Sequence, residues 1–532
     1  MRGAPRTQSY SIHNVKRYTS ANSLAANLIL GAQSETVDTE DPWLNSKIRE
    51  LRDLVRRGTL APAAKVPAGA TILGSRMVNT VKANGEHKSR FIAQGFRDPE
   101  AQDTTVNAPT LSRYMLRVIV SVVTVKGFPL KYRDYSQAYL QSTWDLSRDV
   151  YLRLKPEVRG LLSRITESPY PDHARIVKPL YGLRESGTYW HATLTTRLRD
   201  QGFETAALDP CAFYLMEQGK SIGGVGVLVD DTLIFGNDAT FEAESRAAHG
   251  LENKGTCLLP FTFNGVQIQK RKGSLICDQN AYIDRALHPL IPSISGFDEF
   301  RSLRGKLSYL STGTRPDIQH VIVKLSQVTE MSYTEVHAKK LRSTAKLVDA
   351  NRVAIHYAPL DPDTPRIRVF ADASYGSNED FTSQLGFVVF LGDSSETIHY
   401  LHSTSHKAKQ VAHSVMSAKL LALVLAYDFA EGIQNELRRC GLHAPLVLAT
   451  DSKQIYDAVA SSSILQEKRQ MVRLLLLREG LEMGRIAELI HVPGVQNIAD
   501  ALTKERECPL WHRVLEHGKL ADVYNARVFL TE

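Results

Sequence analysis

Two adjacent aspartates, Asp230 and Asp231, stand between apolar runs in the segment VGVLVDDTLIFG. The β-branched residues on both sides predict two strands joined by a tight acidic turn. A third carboxylate, Asp134 in RDYSQAYLQ, ends another predicted strand. Each of the three alone is consistent with an exposed turn. Carboxylates that converge from separate strands, however, are the ligands that two-metal phosphoryl transfer needs, so together they predict a site for two Mg²⁺ (or Mn²⁺) ions.

A second set of carboxylates, Asp372, Asp451 and Asp500, lies near the C-terminal end, in the segments FADAS, LATDS and NIADALTK. Three strands are predicted first, over RIRVFADAS, SQLGFVVFL and TIHYLHSTS. A helix over residues 415–437, a strand, two helices, a strand and a short helix from residue 497 follow. This is the order of a ribonuclease H fold. Each acid alone is consistent with a cap or a turn, but their positions in the strand order favour a second two-metal site.

The first three carboxylates must be positioned by the elements of a mixed α+β region. The segment TILGSRMVNTVKANGEHKSRFIAQGF alternates apolar and polar residues around a glycine, which predicts a hairpin. A helix over residues 112–126, a strand that runs into Asp134 and a helix after Gly187 are predicted next, followed by the acidic hairpin. The predicted fold class is α+β multidomain.

The bulk composition agrees with several domains and a polyanionic partner. The chain has 532 residues, a length that exceeds what one hydrophobic core usually spans. Of these residues, 43% are hydrophobic, which is enough to fill several cores. Its formal charge of +8 favours nucleic acid, although a solvated basic surface is the alternative. Between residues 301 and 352 the sequence has ten Lys and Arg residues and four acidic residues, and this local excess of positive charge predicts a phosphate-binding face there.

Other classes are disfavoured by what the sequence lacks. It has no apolar run as long as the ~18 residues of a membrane span, and its first residues do not resemble a secretory signal. The five cysteines are scattered without CxxC pairs, so neither a disulfide framework nor a zinc site is expected. We therefore expect a soluble intracellular protein, cytoplasmic (particle-associated) or nuclear, with no membrane partner.

Several segments resemble, in order and spacing, the palm motifs of copia-like reverse transcriptases: RDYSQAYLQ, IVKPLYGLRESGTYW and LVDDTLIFG, with HKSRFIAQGF upstream and FNGVQI and SLRGKLSYLSTGTRPDI downstream. The resemblance covers residues 64–506 and is strongest to fungal members. It implies a right-hand polymerase with fingers, palm and thumb, a connection and a C-terminal α/β ribonuclease H-like domain, within a fragment of a retrotransposon polyprotein.

The resemblance also implies roles for single residues. Asp134 and Asp230 correspond to metal ligands, and Asp231 is the second member of the acidic pair. Tyr139 corresponds to an aromatic residue that blocks a ribose 2′-hydroxyl, with a buried strand aromatic as the alternative.

Further residues correspond to the nucleotide-binding parts. Lys88 and Arg90 correspond to the basic fingers segment that contacts the triphosphate, where cations offset developing charge. Tyr181 and Gly182 correspond to a loop under the nucleotide and template, with an ordinary turn as the alternative. The implied partners are deoxynucleoside triphosphates, a DNA primer, an RNA template and an RNA/DNA hybrid.

One expected nuclease residue differs. The resemblance implies a glutamate on the long helix, in a pattern like SxxAELLAL, whereas this chain reads SVMSAKLLAL with Lys419 at that position. Two unit charges about 4 Å apart interact by roughly 4 kcal/mol at an effective dielectric of about 20. Because each ~1.4 kcal/mol is a factor of ten, an impaired nuclease is expected.

The predicted organisation has six parts: an extension over 1–60, fingers and palm over 61–255, a thumb over 256–300, a basic connection over 301–365, a ribonuclease H-like domain over 366–506 and a tail over 507–532. The predicted function is RNA-directed DNA polymerisation. A decayed or co-opted nucleic-acid-binding remnant is the main alternative, and a structural subunit of a particle is a third. The sequence leaves the oligomeric state open.

Overall fold

The computed structural model of the chain describes residues 41–82, 85–100, 108–288, 296–461, 464, 467–506, 508–521 and 526–528. The predicted extension over residues 1–40 therefore lies outside the described residues. The helices are α1 Leu44–Arg56, α2 Arg113–Lys126, α3 Pro156–Ile165, α4 Ser186–Asp200, α5 Asp238–Ala248, α6 Asn280–Tyr282, α7 Phe297–Gly313, α8 Gln319–Leu325, α9 Glu335–Ala350, α10 Val415–Arg439, α11 Lys453–Ala460, α12 Lys468–Glu482 and α13 Pro509–His517.

The strands form four sheets. They are β1 Leu60–Ala63, β2 Thr71–Val81, β3 His87–Ala93, β4 Leu130–Tyr135, β5 Val150–Arg153, β6 His173–Ile176, β7 Phe203–Thr205, β8 Ala212–Glu217, β9 Lys220–Leu228, β10 Asp231–Gly236, β11 Asn253–Leu258, β12 Phe261–Phe263, β13 Val266–Arg271, β14 Ser274–Asp278, β15 Ile355–Tyr357, β16 Arg366–Ser374, β17 Gln384–Gly392, β18 Ile398–Lys407, β19 Leu446–Thr450, β20 Glu488–His491 and β21 Ala526–Val528.

The first sheet has the order β1-β6-β5-β2-β3 and contains the predicted hairpin as β2 and β3. Helix α1 packs against β3 and α3, with Leu51 and Leu54 fully buried. Residues 44–60, which the sequence analysis assigned to an extension, therefore belong to a packed core.

The second sheet, of order β11-β4-β10-β9-β8-β7, carries the first three carboxylates. Helix α2 packs against β10, and its run VIVSVV is buried. The helix begins after Ser112, whose side chain accepts a hydrogen bond from the Met115 amide, and it ends at Gly127 with φ 67°. The predicted helix, strand and acidic hairpin are confirmed.

The third sheet, of order β12-β13-β14-β15, joins two parts that the sequence analysis separated. Strand β14 of the predicted thumb pairs with β15 of the predicted connection, so that Cys277 lies opposite Ile355. Helices α7, α8 and α9 pack against one another around Phe300, Leu341 and their buried neighbours.

Part of the predicted phosphate-binding face is internal. Arg315 is only 2% exposed, pairs with Asp317 and donates to the carbonyls of Val348 and Asn351. A buried cation with these partners stabilises the fold and cannot reach a phosphate, so the prediction is wrong for Arg315.

The fourth sheet has the order β18-β17-β16-β19-β20-β21. Strands β16, β17 and β18 are antiparallel, whereas β19 runs parallel to β16 and β20 parallel to β19. Helix α10 packs on β16 and β17. This is the predicted order of a ribonuclease H-like domain, and the α+β multidomain fold class is confirmed.

The second and fourth sheets share one continuous hydrophobic core. Helix α2 packs against β18, where the Arg117 guanidinium lies 4.6 Å from the centre of the Tyr400 ring. Ser121 and His399 are joined by a hydrogen bond of 2.8 Å across the same contact. In the predicted tail, Trp511 of α13 is buried against Tyr400. Within the described ranges, no helix is both long enough and apolar enough to span a lipid bilayer.

Candidate active sites

The acidic hairpin and β4 bring the first three carboxylates to one edge of the second sheet. In the antiparallel pairing of β10 with β4, Asp231 lies directly opposite Asp134. Asp230 lies in the turn before β10, and its carbonyl accepts a hydrogen bond of 2.8 Å from the Tyr135 amide. Val229, in the same turn, has φ 54°, which allows the tight reversal. The three carboxylates are therefore neighbours held by the backbone.

The electrostatics of this edge favour a cation. Burial raises the pKa of Asp231 to about 6, the hydrogen bond from Tyr132 opposes this effect, and the charges of Asp230 and Asp134 add to it. Burial also raises the pKa of Asp230, and the charge of Asp134 adds to the effect. Carboxylates of like charge that are crowded in this way become easier to ionise when a cation approaches them.

Two residues that the sequence analysis missed contact these carboxylates. Lys254 on β11 lies 2.5 Å from Asp134 Oδ2, and the Tyr132 hydroxyl donates to Asp231 Oδ1 at 2.5 Å. Tyr132 could have been found from its position two residues before Asp134 on one strand face. Lys254 carries no local signal, because only the pairing of β11 with β4 brings it near.

The predicted nucleotide-binding residues lie close to the acidic hairpin. Lys88 and Arg90 alternate along β3 and share one face. Burial lowers the pKa of Lys88, and the charge of Arg90 adds to the effect. The Arg90 guanidinium lies 5.8 Å from the centre of the Tyr181 ring, and the rings of Tyr181 and Tyr139 are 5.2 Å apart. The negative charge of Asp230 acts on both tyrosines.

Gly182 makes a close backbone contact in this region. It has φ 94°, and a Cβ there would lie 2.0 Å from the Ala93 carbonyl oxygen at the end of β3. In the same contact, the Ala93 amide donates to the Tyr181 carbonyl at 2.8 Å. A residue with a side chain would separate this loop from β3, so the glycine is required by packing as well as by φ.

The second set of carboxylates converges more tightly. Asp372 is fully buried on β16, Asp451 follows β19, and Asp500 lies in the 3₁₀ helix Ile498–Leu502. Their ligand oxygens all lie within 4.8 Å of one another, and among the described residues they are the group of three that could hold a metal ion. Asp134, Asp230 and Asp231 do not form such a group in the described part of the chain.

Lys419 projects into this second cluster from the first turns of α10. Its Nζ lies 2.6 and 2.7 Å from the two oxygens of Asp451 and 3.0 Å from Asp372 Oδ1. Burial lowers the pKa of Lys419, but the charges of Asp372 and Asp451 outweigh burial and raise it. The ammonium is therefore charged in contact with two carboxylates.

Two further cations that the sequence analysis missed complete the cluster. Lys504 Nζ lies 2.7 Å from Asp500 Oδ1 and 3.3 Å from Asp372 Oδ2, and Arg506 also pairs with Asp500. Burial opposes ionisation of Asp372, yet Lys419 and Lys504 keep its pKa below the ordinary value. Burial and the charge of Asp372 raise the pKa of Asp500 to about 6.

The residues of the two clusters differ in how they fit divalent ions. The first presents three crowded carboxylates whose cationic contact, Lys254, is 65% exposed and free to move away. In the second, the Lys419 ammonium lies within 3.0 Å of both Asp372 and Asp451, where a shared Mg²⁺ would need oxygens at about 2.0–2.1 Å. The ligand oxygens of the second set converge, but Lys419 takes the position of an ion among them, whereas those of the first set do not converge to the same distance in the described residues.

Comparison with curated proteins gives matches along most of the chain. The Retrovirus-related Pol polyprotein from transposon RE2 of Arabidopsis thaliana is 24% identical over 92% of this chain and 34% of its own length. The Transposon Ty1-ER2 Gag-Pol polyprotein of Saccharomyces cerevisiae is 22% identical over 81% of this chain and 26% of its own length. The chain therefore spans between a quarter and about a third of the length of these relatives.

Comparison with solved structures gives a match to the foamy viral protease-reverse transcriptase in complex with RNA/DNA hybrid. It is 13% identical, with a TM-score of 0.44, over 90% of this chain and 57% of that chain. LC11-RNase H1 in complex with RNA/DNA hybrid is 17% identical, with a TM-score of 0.22, over 26% of this chain and 93% of that chain.

The family described as Reverse transcriptase (RNA-dependent DNA polymerase) matches residues 62–290. This range contains β4, the acidic hairpin and the hairpin of β2 and β3. Residues 62–290 therefore match the reverse transcriptase family, in a chain that is similar over most of its length to retrotransposon Pol polyproteins.

Proposed function

We propose that the chain is an RNA-directed DNA polymerase that adds deoxynucleotides to a DNA primer on an RNA template. The observation that carries this proposal is the register of β4 and β10, which sets Asp134 opposite Asp231 with Asp230 in the adjoining turn. The match of residues 62–290 to reverse transcriptases supports it. The proposed division is fingers and palm over 61–255, a thumb over 256–300, a connection over 301–365 and a ribonuclease H-like domain over 366–506.

In this proposal Asp134, Asp230 and Asp231 hold Mg²⁺ or Mn²⁺, which lowers the pKa of the attacking hydroxyl and neutralises phosphate charge. Lys88 and Arg90 bind the triphosphate, because they present two cations on one face of β3 next to the acidic hairpin. Among the described residues the hairpin and β4 carboxylates make their ion pair with Lys254 and not with Lys88 or Arg90, which leaves these two cations able to meet phosphate oxygens.

The Tyr181 loop and Tyr139 form the floor and one wall of the proposed nucleotide site. Their rings are 5.2 Å apart, and Gly182 lets the loop approach β3 closely. A nucleotide whose phosphates reach Arg90 would bring its sugar towards Tyr139, because the Arg90 guanidinium lies over the adjacent Tyr181 ring. Tyr139 would then exclude a ribose 2′-hydroxyl by its bulk.

Primer extension tests the polymerase. The purified chain should extend a DNA primer on RNA in Mg²⁺, and Asp230→Asn should reduce the rate by roughly a thousandfold, because removing a charge that interacts by about 4 kcal/mol costs about three decades. Asp238→Asn, at an exposed aspartate in the first turn of α5, is the matched control and should retain activity. Equal and negligible incorporation by the wild type and Asp230→Asn would reject the proposal.

We further propose that ribonuclease H activity is lost because Lys419 takes the place of a carboxylate. Lys419→Glu should introduce Mg²⁺-dependent cleavage of the RNA strand of a hybrid, faster than the unchanged chain by orders of magnitude. Adding Asp451→Asn to that variant should abolish the cleavage. Efficient cleavage of the RNA strand by the unchanged chain would contradict this proposal but would leave the proposed polymerase activity unaffected.

A nucleic-acid-binding remnant without polymerase activity is the second candidate, favoured by the contact of Lys419 with Asp372 and Asp451. It predicts hybrid binding with no primer extension at all, so the same extension assay separates the two functions.

A further inference from the structure

The fourth sheet contains a carboxylate cluster in which every acid is paired with a cation of the protein. Lys419 contacts Asp372 and Asp451, Lys504 contacts Asp372 and Asp500, and Arg506 contacts Asp500. Three carboxylates therefore face three cations, and the cluster has no net charge. A divalent ion is attracted to a site by the negative charge that remains unpaired, and here none remains.

Lys419 is held in this position by the start of α10. The Ser414 side chain accepts a hydrogen bond from the Ser417 amide and so fixes the first turn of the helix. Ala418 and Leu420, on either side of Lys419, are fully buried. Rotation of this helical turn would expose both residues, so the Cβ of Lys419 stays directed at the cluster, where its side chain is only 14% exposed.

The cluster borders a cavity of about 540 Å³ between α8, α9 and α13. Lys504 and Arg506 contact the cluster and line this cavity, whereas Lys340 in the cavity wall pairs with Glu505. A phosphodiester that approached an unpaired set of three aspartates would be repelled. Because the protein's own cations neutralise these aspartates, a phosphate can approach without divalent ions in between.

We propose that Lys419 is the resident counterion of this carboxylate cluster, and that the C-terminal domain thereby holds an RNA/DNA hybrid without divalent metal and without cutting it. The hybrid as ligand rests on the proposed polymerase function, whereas the role of Lys419 as counterion does not. In this arrangement the domain retains product on the protein and leaves the RNA strand intact.

The counterion role is tested in the full chain with the palm silenced by Asp134→Asn and Asp230→Asn, so that any response to metal arises elsewhere. Melting temperature and bound Mn²⁺, counted by electron paramagnetic resonance, are compared for Lys419, Lys419→Met and Lys419→Glu. Lys453→Met is the matched control, since Lys453 is 71% exposed and its ion pair among the described residues is with Asp457 on its own helix.

The palm-silenced chain with Lys419 should melt at the same temperature in EDTA and in Mn²⁺ and should bind no Mn²⁺ tightly. Lys419→Met should melt about 3–6 °C lower in EDTA, because it removes the cation from Asp451 and leaves Lys504 as the remaining cation at the buried Asp372. Lys419→Glu should also melt lower in EDTA and should recover in Mn²⁺ with bound ion. The inference is overturned if the Lys419 chain gains as much stability from Mn²⁺ as Lys419→Glu does, or if Lys419→Met matches Lys453→Met.

Hybrid binding tests the second half of the proposal by fluorescence anisotropy with a labelled RNA/DNA duplex. The Lys419 chain should bind equally well in EDTA and in Mg²⁺, whereas Lys419→Glu should lose about tenfold in EDTA and regain affinity in Mg²⁺. A Lys419 chain that needs Mg²⁺ to bind the hybrid would refute the proposal. Failure of the polymerase is seen separately, by primer extension with the palm intact.

Discussion

Tyr139 is the residue on which sugar selection depends in the proposed site. It is partly buried beside Tyr181, and the nearby charge of Asp230 acts on it. Tyr139→Val removes the ring but keeps an apolar side chain, so ribonucleotide incorporation should rise at least about tenfold relative to deoxynucleotide incorporation. Competition between the two nucleotides in single-turnover primer extension measures this ratio.

Tyr189→Val is the control for that substitution. Tyr189 lies on α4, and its hydroxyl is hydrogen-bonded to Ser147 rather than directed at the acidic hairpin. It should leave sugar discrimination unchanged. If Tyr139→Val behaves in the same way, Tyr139 is a packing residue, which was the alternative interpretation of its sequence position.

The residues that could be predicted from sequence are those with local signals. Asp230 and Asp231 stand between β-branched runs, Asp134 ends a predicted strand, and Asp372, Asp451 and Asp500 stand at fixed points in a strand order. Lys254 could not be predicted in the same way, because its contact with Asp134 arises only from the tertiary structure. Lys504 stands four residues after Asp500 in a predicted helix, so this local pair could have been found, whereas its contact with Asp372 could not.

At the scale of elements, the contact between β3 and the Tyr181 loop sets the geometry of the nucleotide site. Gly182→Ala adds a methyl group 2.0 Å from the Ala93 carbonyl oxygen at a φ of 94°, so both strain and steric overlap oppose it. We expect a loss of about 2–4 kcal/mol in the free energy of unfolding. Urea denaturation measures the loss, and the KM for deoxynucleotides should rise as the loop moves away.

Gly69→Ala separates the two causes. Gly69 also has a positive φ, 82°, but a Cβ there would meet no atom within 4 Å. It should cost only about 1 kcal/mol, the backbone part of the penalty. Equal losses at the two glycines would mean that the close approach of the loop to β3 is not what requires Gly182.

Most elements were predictable because the hydrophobic periodicity of each segment and the capping or turn residues at its ends indicate the same element. The helix from residue 113 follows a serine cap and ends at a glycine, and the acidic hairpin is flanked by β-branched runs. The pairing of β14 with β15 was not predictable, since about 80 residues of sequence separate the two short strands. Nothing in either segment identifies its partner.

At the scale of the whole molecule, the second and fourth sheets share one core, whereas separate cores were expected for the domains that contain them. The sequence predicts a palm and a ribonuclease H-like domain separated by a connection, each with its own core. In the structure α2 packs directly on β18, and Glu436 of α10 accepts hydrogen bonds from the amides of Ala207 and Leu208. Apolar residues at this contact look like ordinary core residues in the sequence, so the contact itself could not be inferred.

The interpretation of the basic segment over residues 301–352 as a phosphate-binding face also changes when the whole structure is considered. Several of its cations are already engaged within the chain: Arg315 is buried, Lys340 pairs with Glu505, and Arg342 pairs with Glu335. Lys339 and Lys346 are different, because they are exposed and lie seven residues apart on one face of α9. Among the residues that the structure describes, neither has an ion-pair partner, so these two are the cations best able to meet phosphates.

The affinity for an RNA/DNA hybrid should therefore fall steeply with salt, because each phosphate contact releases counterions. Replacing Lys339 and Lys346 together by alanine should flatten the slope of log K against log salt by up to about two, roughly one for each lost contact. The matched pair Lys340→Ala and Arg342→Ala removes the same formal charge from the same helix but breaks internal ion pairs, so it should flatten the slope less. Anisotropy titrations over a range of salt concentrations measure both slopes. Identical slopes for the unchanged chain and both double variants would mean that α9 faces solvent and that the hybrid lies along another surface. A larger effect of replacing Lys340 and Arg342 would mean that Glu505 and Glu335 release these two cations when the hybrid binds.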